Sequence, residues 1–207
     1  MEFEIVDDAV SAVNLGKIVA LPTDTVWGLL VSPREGTALE RLYQFKNRPV
    51  NKPFQCLCAG LEVALSLTDL SLTNLPRSDF TRANLKRDLE RLSSLWPGAL
   101  TLLVPARANV PERLRPGGVV GLRVPRFPAV QDLLERLGGY AACTSLNLSG
   151  ERPITTLEEA RAHPELYDGL WCPGPSGGQA STVYHLLERR VVRQGEITEA
   201  QILEALG

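Results

Sequence analysis

The chain has 207 residues, a length that suits one domain, and its 44% hydrophobic and 22% charged residues are typical of a globular protein. The formal net charge of −2 excludes a global basic field for nucleic acid, so an anion site would have to be local. The acidic N-terminus does not resemble a signal peptide, and no apolar run is long enough to span a membrane. We therefore expect a cytoplasmic protein that does not associate with membranes.

Alternating helices and strands are predicted along the first half of the chain. Helices are indicated by apolar residues three or four positions apart, and strands by short apolar or β-branched runs. In chain order, the pattern predicts a helix at Asp7–Leu15, strands at Lys17–Leu21 and Thr25–Val31, a helix at Thr37–Phe45, a strand at Phe54–Ala59, a loop at Asp69–Asp79 and a helix at Asn84–Leu95.

The second half of the chain continues the alternation. Thr156 and Glu159 suit a capping box at the start of one helix. Because the alternation shows no break in composition, we expect one α/β domain. In chain order, the pattern predicts strands at Ala99–Val104 and Val119–Val124, a helix at Ala129–Leu137, a strand at Ala141–Leu146, a helix at Thr156–Ala162, a glycine-rich loop at Cys172–Ala180, strands at Thr182–Leu187 and Val191–Arg193, and a helix at Thr198–Leu206.

The cysteines indicate a reduced protein without a zinc site. Cys56 and Cys58 have a C-x-C spacing that is typical of neither zinc nor redox motifs, and in a strand both would point to the same face. Cys143 and Cys172 are isolated in the sequence. We expect all of them to be small core residues.

A basic segment, Phe45–Phe54 (FKNRPVNKPF), places Lys46, Arg48 and Lys52 among stiffening prolines. Lysine supplies a mobile charge and arginine a planar fork, so together they suit phosphate oxygens. A solvated charge cluster is the alternative interpretation. The segment is not a P-loop, because the chain contains no G-x-x-x-x-G-K-[ST] sequence.

Two further segments place hydroxyl groups at predicted strand ends. In LPTDTVWGL, the residues Thr23, Asp24 and Thr25 come directly after a predicted strand. They either face a ligand or cap the local backbone. ACTSLNLSG supplies neutral hydrogen-bonding groups that would orient a charged ligand. Ser145 within it lacks a G-x-S-x-G setting, and neither histidine is near it in sequence, which argues against a serine hydrolase.

An arginine lies inside a predicted strand, in GLRVP. Burial of Arg123 is expensive unless it pairs with a carboxylate or binds an anion, and both interpretations stay open. The glycine-rich loop is weak support for a site, because glycines alone specify no ligand.

Taken together, these segments resemble the YrdC/TsaC family of threonylcarbamoyl-adenylate synthases. The similar blocks are LPTDTVWGL, KNRPVNKP, WPGALTLLVPA, GLRVPRFPA, TSLNLSG, and STVYHL with VVRQGEIT, in that order from about Leu21 to Thr198. The resemblance implies a single YrdC-like α/β domain over residues 1–207. It also implies an open, twisted, mixed β-sheet with flanking helices and a large concave cleft.

The resemblance further implies an enzyme, a nucleotidyltransferase. L-threonine, bicarbonate or CO2, and ATP would give threonylcarbamoyl-AMP and pyrophosphate, for the t6A37 modification of tRNA by downstream transfer proteins. Mg²⁺ is expected to accompany the ATP, with no protein side chain as a metal ligand. No residue is assigned as a general base.

The family's binding residues carry over to named positions here, as what the resemblance implies. Trp27 replaces a usual Tyr or Phe and is expected to keep a pocket wall. Leu57 stands where longer relatives have His, and Leu146 where Ala is usual within S-x-N. The positions implied for ATP are Lys46, Arg48, Lys52, Ser145, Asn147 and Arg193, and those implied for threonine are Thr25, Arg123, Cys143 and Ser181.

Two alternatives to the synthase are kept. One is a double-stranded RNA or tRNA-binding module without its own catalysis, whose binding would weaken steeply with salt. The other is a carbamoyl-transfer domain of the kind found within hydrogenase-maturation proteins, but the acylphosphatase and zinc-finger segments of those proteins are missing from this sequence.

Overall fold

The computed structural model describes residues 1–34, 36–47, 53–71, 82–147 and 151–207. Within these residues the chain forms one mixed sheet flanked by helices. The strands are β1 (Glu2–Phe3), β2 (Val19–Leu21), β3 (Gly28–Val31), β4 (Gln55–Cys58), β5 (Leu100–Pro105), β6 (Val119–Arg123), β7 (Tyr140–Ser145), β8 (Gly169–Trp171), β9 (Thr182–His185) and β10 (Arg190–Arg193). The helices are α1 (Val6–Asn14), α2 (Gly36–Phe45), α3 (Leu61–Leu67), α4 (Arg82–Leu92), α5 (Pro128–Arg136), α6 (Leu157–Arg161) and α7 (Glu199–Leu206).

The sheet has the order β1-β8-β2-β3-β7-β4-β6-β5-β9-β10. β1, β8 and β2 run parallel to one another, as do β4 with β6 and β5 with β9, and the other neighbours are antiparallel. The expected open, mixed α/β sheet is therefore confirmed.

One face of the sheet is covered along most of its length by helices. α2, α4 and α7 contribute apolar residues such as Leu42, Leu89 and Ile202 to a core that also contains Leu102 and Leu122 from the central strands. We call this the first core. Cys56 and Cys58 both belong to it, as their spacing predicted, and all cysteines of the chain are free thiols.

The opposite face is covered only in part. α1 and α5 pack on it and form a second core with residues such as Val13, Leu30, Leu57 and Leu133. Beyond this second core, the same face continues over β4, β6, β5 and β9 as the floor of an open cleft. The cleft thus occupies the part of this face that α1 and α5 leave uncovered.

The helix ends follow local rules. Thr198 caps α7 in a reciprocal box with Gln201, and Gly207 ends that helix with a positive φ of 76°. Thr156 caps α6 as predicted, by accepting from the amide of Glu159 at 3.2 Å. The reciprocal bond differs from the prediction, because the Glu159 carboxylate accepts from the amide of Thr155 instead.

The other predicted helices and strands are present, with ends shifted by a few residues. The predicted helix Asn84–Leu95 ends as a 3₁₀ turn over Ser93–Leu95. The pattern missed β1, α3 and β8, and the predicted loop Asp69–Asp79 lies mostly outside the described residues. None of the described helices is both long and apolar enough to cross a membrane.

Candidate functional site

The candidate site is a cleft of about 450 Å³ on the partly covered face of the sheet. Its floor is a row of residues on neighbouring strands, Cys143, Gln55 and Gly121, which are register partners. Because partners in register point to the same face, this row defines a continuous surface across β7, β4 and β6. Its sides are formed by the turn after β2, the end of β7 and the segment that precedes β9.

Arg123 is the charged group at the end of β6, and its side chain is almost fully buried. Its Nε donates to Gly98 O at 3.1 Å, its Nη1 donates to Thr25 Oγ1 at 2.7 Å, and its Nη2 donates to Asp24 Oδ1. Burial lowers the pKa of Arg123, and the adjacent Asp24 carboxylate opposes that effect. The structural ion pair, one of the two interpretations left open by the sequence, is thus present. A guanidinium has five N–H groups, so these three bonds leave two for a ligand.

Thr25 is held in one orientation by its neighbours. Thr23 Oγ1 donates to Val26 O at 2.8 Å and lies 2.9 Å from Thr25 Oγ1. Because the Thr23 proton is already used, Thr25 must donate in the contact between the two hydroxyls. Thr25 Oγ1 therefore accepts from Arg123 and donates to Thr23, so the turn fixes the arginine.

The glycine-rich loop rests on this turn. Gly177 N donates to Thr23 O at 3.2 Å, and Gly178 N donates to Thr25 O. A Cβ at Gly177 would lie 1.9 Å from Asp24 O, so only glycine permits this approach. Ser176 Oγ anchors the loop a second time, at 2.6 Å from Thr155 O.

Lys46 lies beneath the end of β7. Its Nζ donates to Ser145 O at 3.1 Å, to Asn147 O at 2.8 Å and to Asn147 Oδ1 at 2.6 Å. Ser145 Oγ donates to the same Asn147 Oδ1 at 2.8 Å. The lysine and the S-x-N segment thus form one hydrogen-bonded unit, in which the ammonium donates to two backbone oxygens and one amide oxygen.

A second arginine stands at the opposite end of the cleft. Arg193 Nη2 donates to Ser181 O at 2.8 Å and to Ser181 Oγ at 3.2 Å. Burial lowers the pKa of Arg193, and in the part of the chain that the structure describes no carboxylate forms an ion pair with it. Its charge is available to an anion in the cleft.

Cys143 fills the floor beside β3. A Cβ at Gly28 would lie 2.8 Å from Cys143 Sγ, so the thiol occupies the space that the glycine leaves. Burial raises the pKa of Cys143 to about 12, which keeps the thiol protonated and neutral near pH 7. Cys143 is therefore a neutral wall rather than a nucleophile.

Three residues that depart from the family pattern lie away from the cleft lining. Trp27 was expected on a pocket wall, and this is wrong, because its side chain is buried in the first core. Leu146 is also in the first core, and Leu57 is in the second core. All three side chains pack in the two cores.

The structure brings most of the predicted site residues together. Lys46 and Asn147 lie directly beside the cleft residue Ser145, whereas Arg48 and Lys52 lie outside the described residues. The roles of all of them in binding ATP or threonine stay predictions. The predicted residues that line the cleft are Thr25, Arg123, Cys143, Ser145, Ser181 and Arg193.

Sequence reasoning missed Gln55 and Thr101 on the cleft floor. Gln55 is a polar residue in the otherwise apolar strand β4, which was the available signal. Among the described residues there is no group of three or more His, Cys, Asp or Glu side chains that could hold a metal ion.

Comparison with known proteins identifies a family for this chain. The family model described as "Sua5_yciO_yrdC: Telomere recombination" matches residues 11–195. A curated relative from Escherichia coli (strain K12), named threonylcarbamoyl-AMP synthase, is 31% identical over 191 residues, which cover 90% of this chain and 94% of the relative.

Two solved structures are similar over nearly the whole chain. P. abyssi Sua5 complexed with L-threonine superposes with a TM-score of 0.83 at 26% identity, and the match covers 100% of this chain and 60% of that one. E. coli YciO superposes with a TM-score of 0.79 at 25% identity, covering 95% of this chain and 91% of that one. The chain belongs to the Sua5/YciO/YrdC family.

Proposed function

We propose that this chain is an L-threonylcarbamoyladenylate synthase, a nucleotidyltransferase that makes threonylcarbamoyl-AMP and pyrophosphate from L-threonine, bicarbonate or CO2, and ATP. The observation that carries the proposal is the single cleft in which Arg123 and Thr25 face the same space as Ser145 and Arg193. The curated relatives named threonylcarbamoyl-AMP synthase and the P. abyssi Sua5 complexed with L-threonine support it.

Threonine would bind at the Arg123 end of the cleft. The two unused N–H groups of Arg123 suit a carboxylate, which a guanidinium binds in a bidentate manner. Asp24 holds the guanidinium in place and offers a negative charge beside it, which suits the ammonium group of an amino acid. A cation and an anion side by side are complementary to a zwitterion.

ATP would bind across the cleft, where Ser145 on β7 and Arg193 on β10 stand at opposite sides. Arg193 offers a cation without a carboxylate partner among the described residues, and the Lys46-braced turn holds Ser145 in the cleft lining, with Asn147 as its hydrogen-bond partner. Arg48 and Lys52 are further predicted to contact the triphosphate. Mg²⁺ would accompany the ATP as part of the substrate, and would neutralise phosphate charge there.

The proposed chemistry requires positioning more than acid–base catalysis. The threonine ammonium first loses a proton, and bicarbonate takes up a proton and releases water to give CO2. The amine nitrogen then bonds to the carbon of CO2 and loses a second proton, which gives a carbamate. A carbamate oxygen then bonds to the α-phosphorus of ATP, and the bond from that phosphorus to the pyrophosphate oxygen breaks. Holding the two reactants in line supplies much of the acceleration in such a reaction. The product would pass in the cytoplasm to proteins that transfer the threonylcarbamoyl group to tRNA.

The test is pyrophosphate release by the purified protein with ATP, magnesium, L-threonine and bicarbonate. We expect release that depends on both threonine and bicarbonate and that falls when serine replaces threonine. Release that is indifferent to both compounds would contradict the proposal. Tight, salt-sensitive binding of labelled tRNA without any turnover would favour the RNA-binding alternative instead.

A further inference from the structure

Gln55 reaches across the cleft floor to a strand that is not its neighbour. β6 lies between β4 and β5, so the Gln55 and Thr101 backbones are separated by two strand spacings, about 9.6 Å across the sheet, and by a further offset of two residues along β5, where Leu103 is the partner of Gly121. The residue between them is Gly121, the register partner of Gln55. A Cβ at Gly121 would lie 3.5 Å from Thr101 Cγ2 and 3.7 Å from Gln55 Cβ. The absence of a side chain at Gly121 therefore leaves the path open.

The hydrogen bonds along this path have a defined direction. Thr101 Oγ1 donates to Gln55 Oε1 at 2.8 Å. Because a hydroxyl has one proton, Ser181 must donate in the Ser181–Thr101 contact at 2.9 Å, and Ser181 accepts in turn from Arg193. We call Arg193, Ser181, Thr101 and Gln55 the hydrogen-bonded row.

The row uses the amide oxygen of Gln55 and leaves its amide nitrogen to the cleft. Gln55 lines the cleft, and no described residue accepts a hydrogen bond from its Nε2. The oxygen of a ligand in the cleft can therefore accept from this amide. The cleft floor thus presents two neutral N–H donors to its contents.

The surroundings of Gln55 indicate the kind of oxygen that fits there. Arg123 lies on the adjacent strand β6, two residues beyond Gly121 and on the same face. Arg193 stands at the other end of the row. Gln55 itself is on β4, between β7, which carries Ser145, and β6, which carries Arg123. If Arg123 binds the amino-acid carboxylate and the nucleotide lies beside Ser145, as in the proposed function, then Gln55 faces the atoms that join the two substrates.

We propose that Gln55 Nε2 binds the one-carbon oxyanion of the reaction, first as bicarbonate and then as the carbamate formed on the threonine amine. This inference rests on the proposed function. Bicarbonate takes up a proton and loses water to give CO2, and the threonine ammonium loses a proton to give the free amine. When the amine nitrogen bonds to the carbon of CO2, a C=O electron pair moves onto oxygen and a second proton leaves the nitrogen for solvent. The two N–H groups stabilise the resulting charge. Because the amide is neutral, it holds the carbamate without cancelling the charge that makes its oxygen a nucleophile toward phosphorus.

Two variants of Gln55 separate binding from structural support. Gln55→Met removes both the acceptor for Thr101 and the donors to the ligand. Gln55→Glu keeps an acceptor for Thr101 but replaces the donors with a negative oxygen. We expect the KM for bicarbonate in the pyrophosphate assay to rise about tenfold or more in Gln55→Met, and further in Gln55→Glu, because bonds to charged groups are lost or reversed. L-threonine affinity, measured by calorimetry without ATP, should be unchanged in Gln55→Met.

Gln131→Glu is the matched control, since it makes the same chemical change on α5, outside the cleft lining. It should leave the KM for bicarbonate unchanged, and circular dichroism should show all variants folded. If Gln55 only supports Thr101, then Gln55→Glu would keep the wild-type KM while Gln55→Met lost activity, and the inference would be overturned. A wild-type protein that releases no pyrophosphate with threonine and bicarbonate would instead refute the proposed function itself.

Discussion

Lys46 Nζ lies 2.6 Å from Asn147 Oδ1 and 2.8 Å from the backbone oxygen of the same residue. The lysine is only 8% exposed, and its third contact within the S-x-N segment is Ser145 O. A charged donor in this position accounts for backbone oxygens at and just beyond the end of β7, as a cap does for the backbone groups at a helix end.

The first prediction concerns the stability that Lys46 supplies. Lys46→Met should lower the free energy of unfolding by about 3 kcal/mol, because charge-assisted hydrogen bonds contribute about 1.5–3 kcal/mol each and their acceptors would be left buried. Urea unfolding followed by circular dichroism measures this. Lys86→Met, which removes an exposed lysine paired with Glu90, is the control and should change stability by less than about 0.5 kcal/mol. Unchanged stability with lost ATP affinity would show that Lys46 acts on the phosphates instead.

The second prediction concerns the hydroxyl of Thr25. Thr25→Val keeps the shape of the side chain but removes the acceptor for Arg123 and the donor to Thr23. We expect L-threonine affinity to fall about tenfold, since one hydrogen bond to a charged group is lost and the guanidinium is less well oriented. Calorimetric titration with L-threonine measures the change. Thr25→Ser, which keeps the hydroxyl, should bind nearly as well as the wild type, and equal losses in both variants would contradict the assignment.

The third prediction concerns the docking of the glycine-rich loop. In Gly177→Ala the new methyl would collide with Asp24 O, so the loop or the turn must shift. We expect a loss of about 1–3 kcal/mol in stability or in L-threonine binding, as is usual for overpacking. Gly174→Ala is the matched control in the same loop, because a Cβ there meets only Phe127 Cζ at 3.4 Å. Equal behaviour of the two variants in thermal unfolding and threonine titration would show that the loop is not held against Asp24.

The fourth prediction concerns stability at high pH. Burial raises the pKa of Cys56 and of Cys143 from 9.0 to about 12. Above pH 9 the unfolded chain releases these protons while the folded chain retains them, so stability is present below pH 9 and is lost as the pH rises toward 12. Each thiol should remove about 1 kcal/mol per pH unit in that window. Urea midpoints at pH 8 and pH 10 should therefore fall less in Cys56→Ala than in the wild type, and parallel falls would disprove it.

Local patterns were sufficient to predict most of the fold, and their failures have a physical cause. Helices such as α2 and α5 have an apolar face, and strands such as β7 have continuous buried runs. β1 and β8 are too short for a period to be visible, and they exist because β8 pairs with both β1 and β2. Such pairing between residues about 150 positions apart leaves no local signal.

The site was predicted only in part, again because contacts between distant strands leave no local signal in the sequence. The hydroxyl groups of Thr23 and Thr25 stand out in the sequence because they directly follow an apolar strand, whereas Arg193 was implied by the family resemblance. Gln55 and Thr101 acquire their meaning only from the register of β4, β6 and β5. Trp27 was misplaced because the family resemblance gave the residue type at this position but not the direction of the side chain, which packs into the first core just before β3.

The partly covered face of the sheet has a consequence for the thermodynamics of binding. The cleft floor lies on strands that are hydrogen-bonded on both sides and packed against the first core from behind, so it is already ordered before a ligand arrives. Association loses translational and rotational freedom, and it loses further free energy where side chains or loops must become ordered. The paired strands of the floor add little to that second loss, and the turn after β2 and the glycine-rich loop form the rim outside the sheet. Affinity is then adjustable at the rim while the geometry of the reacting atoms is kept by the floor.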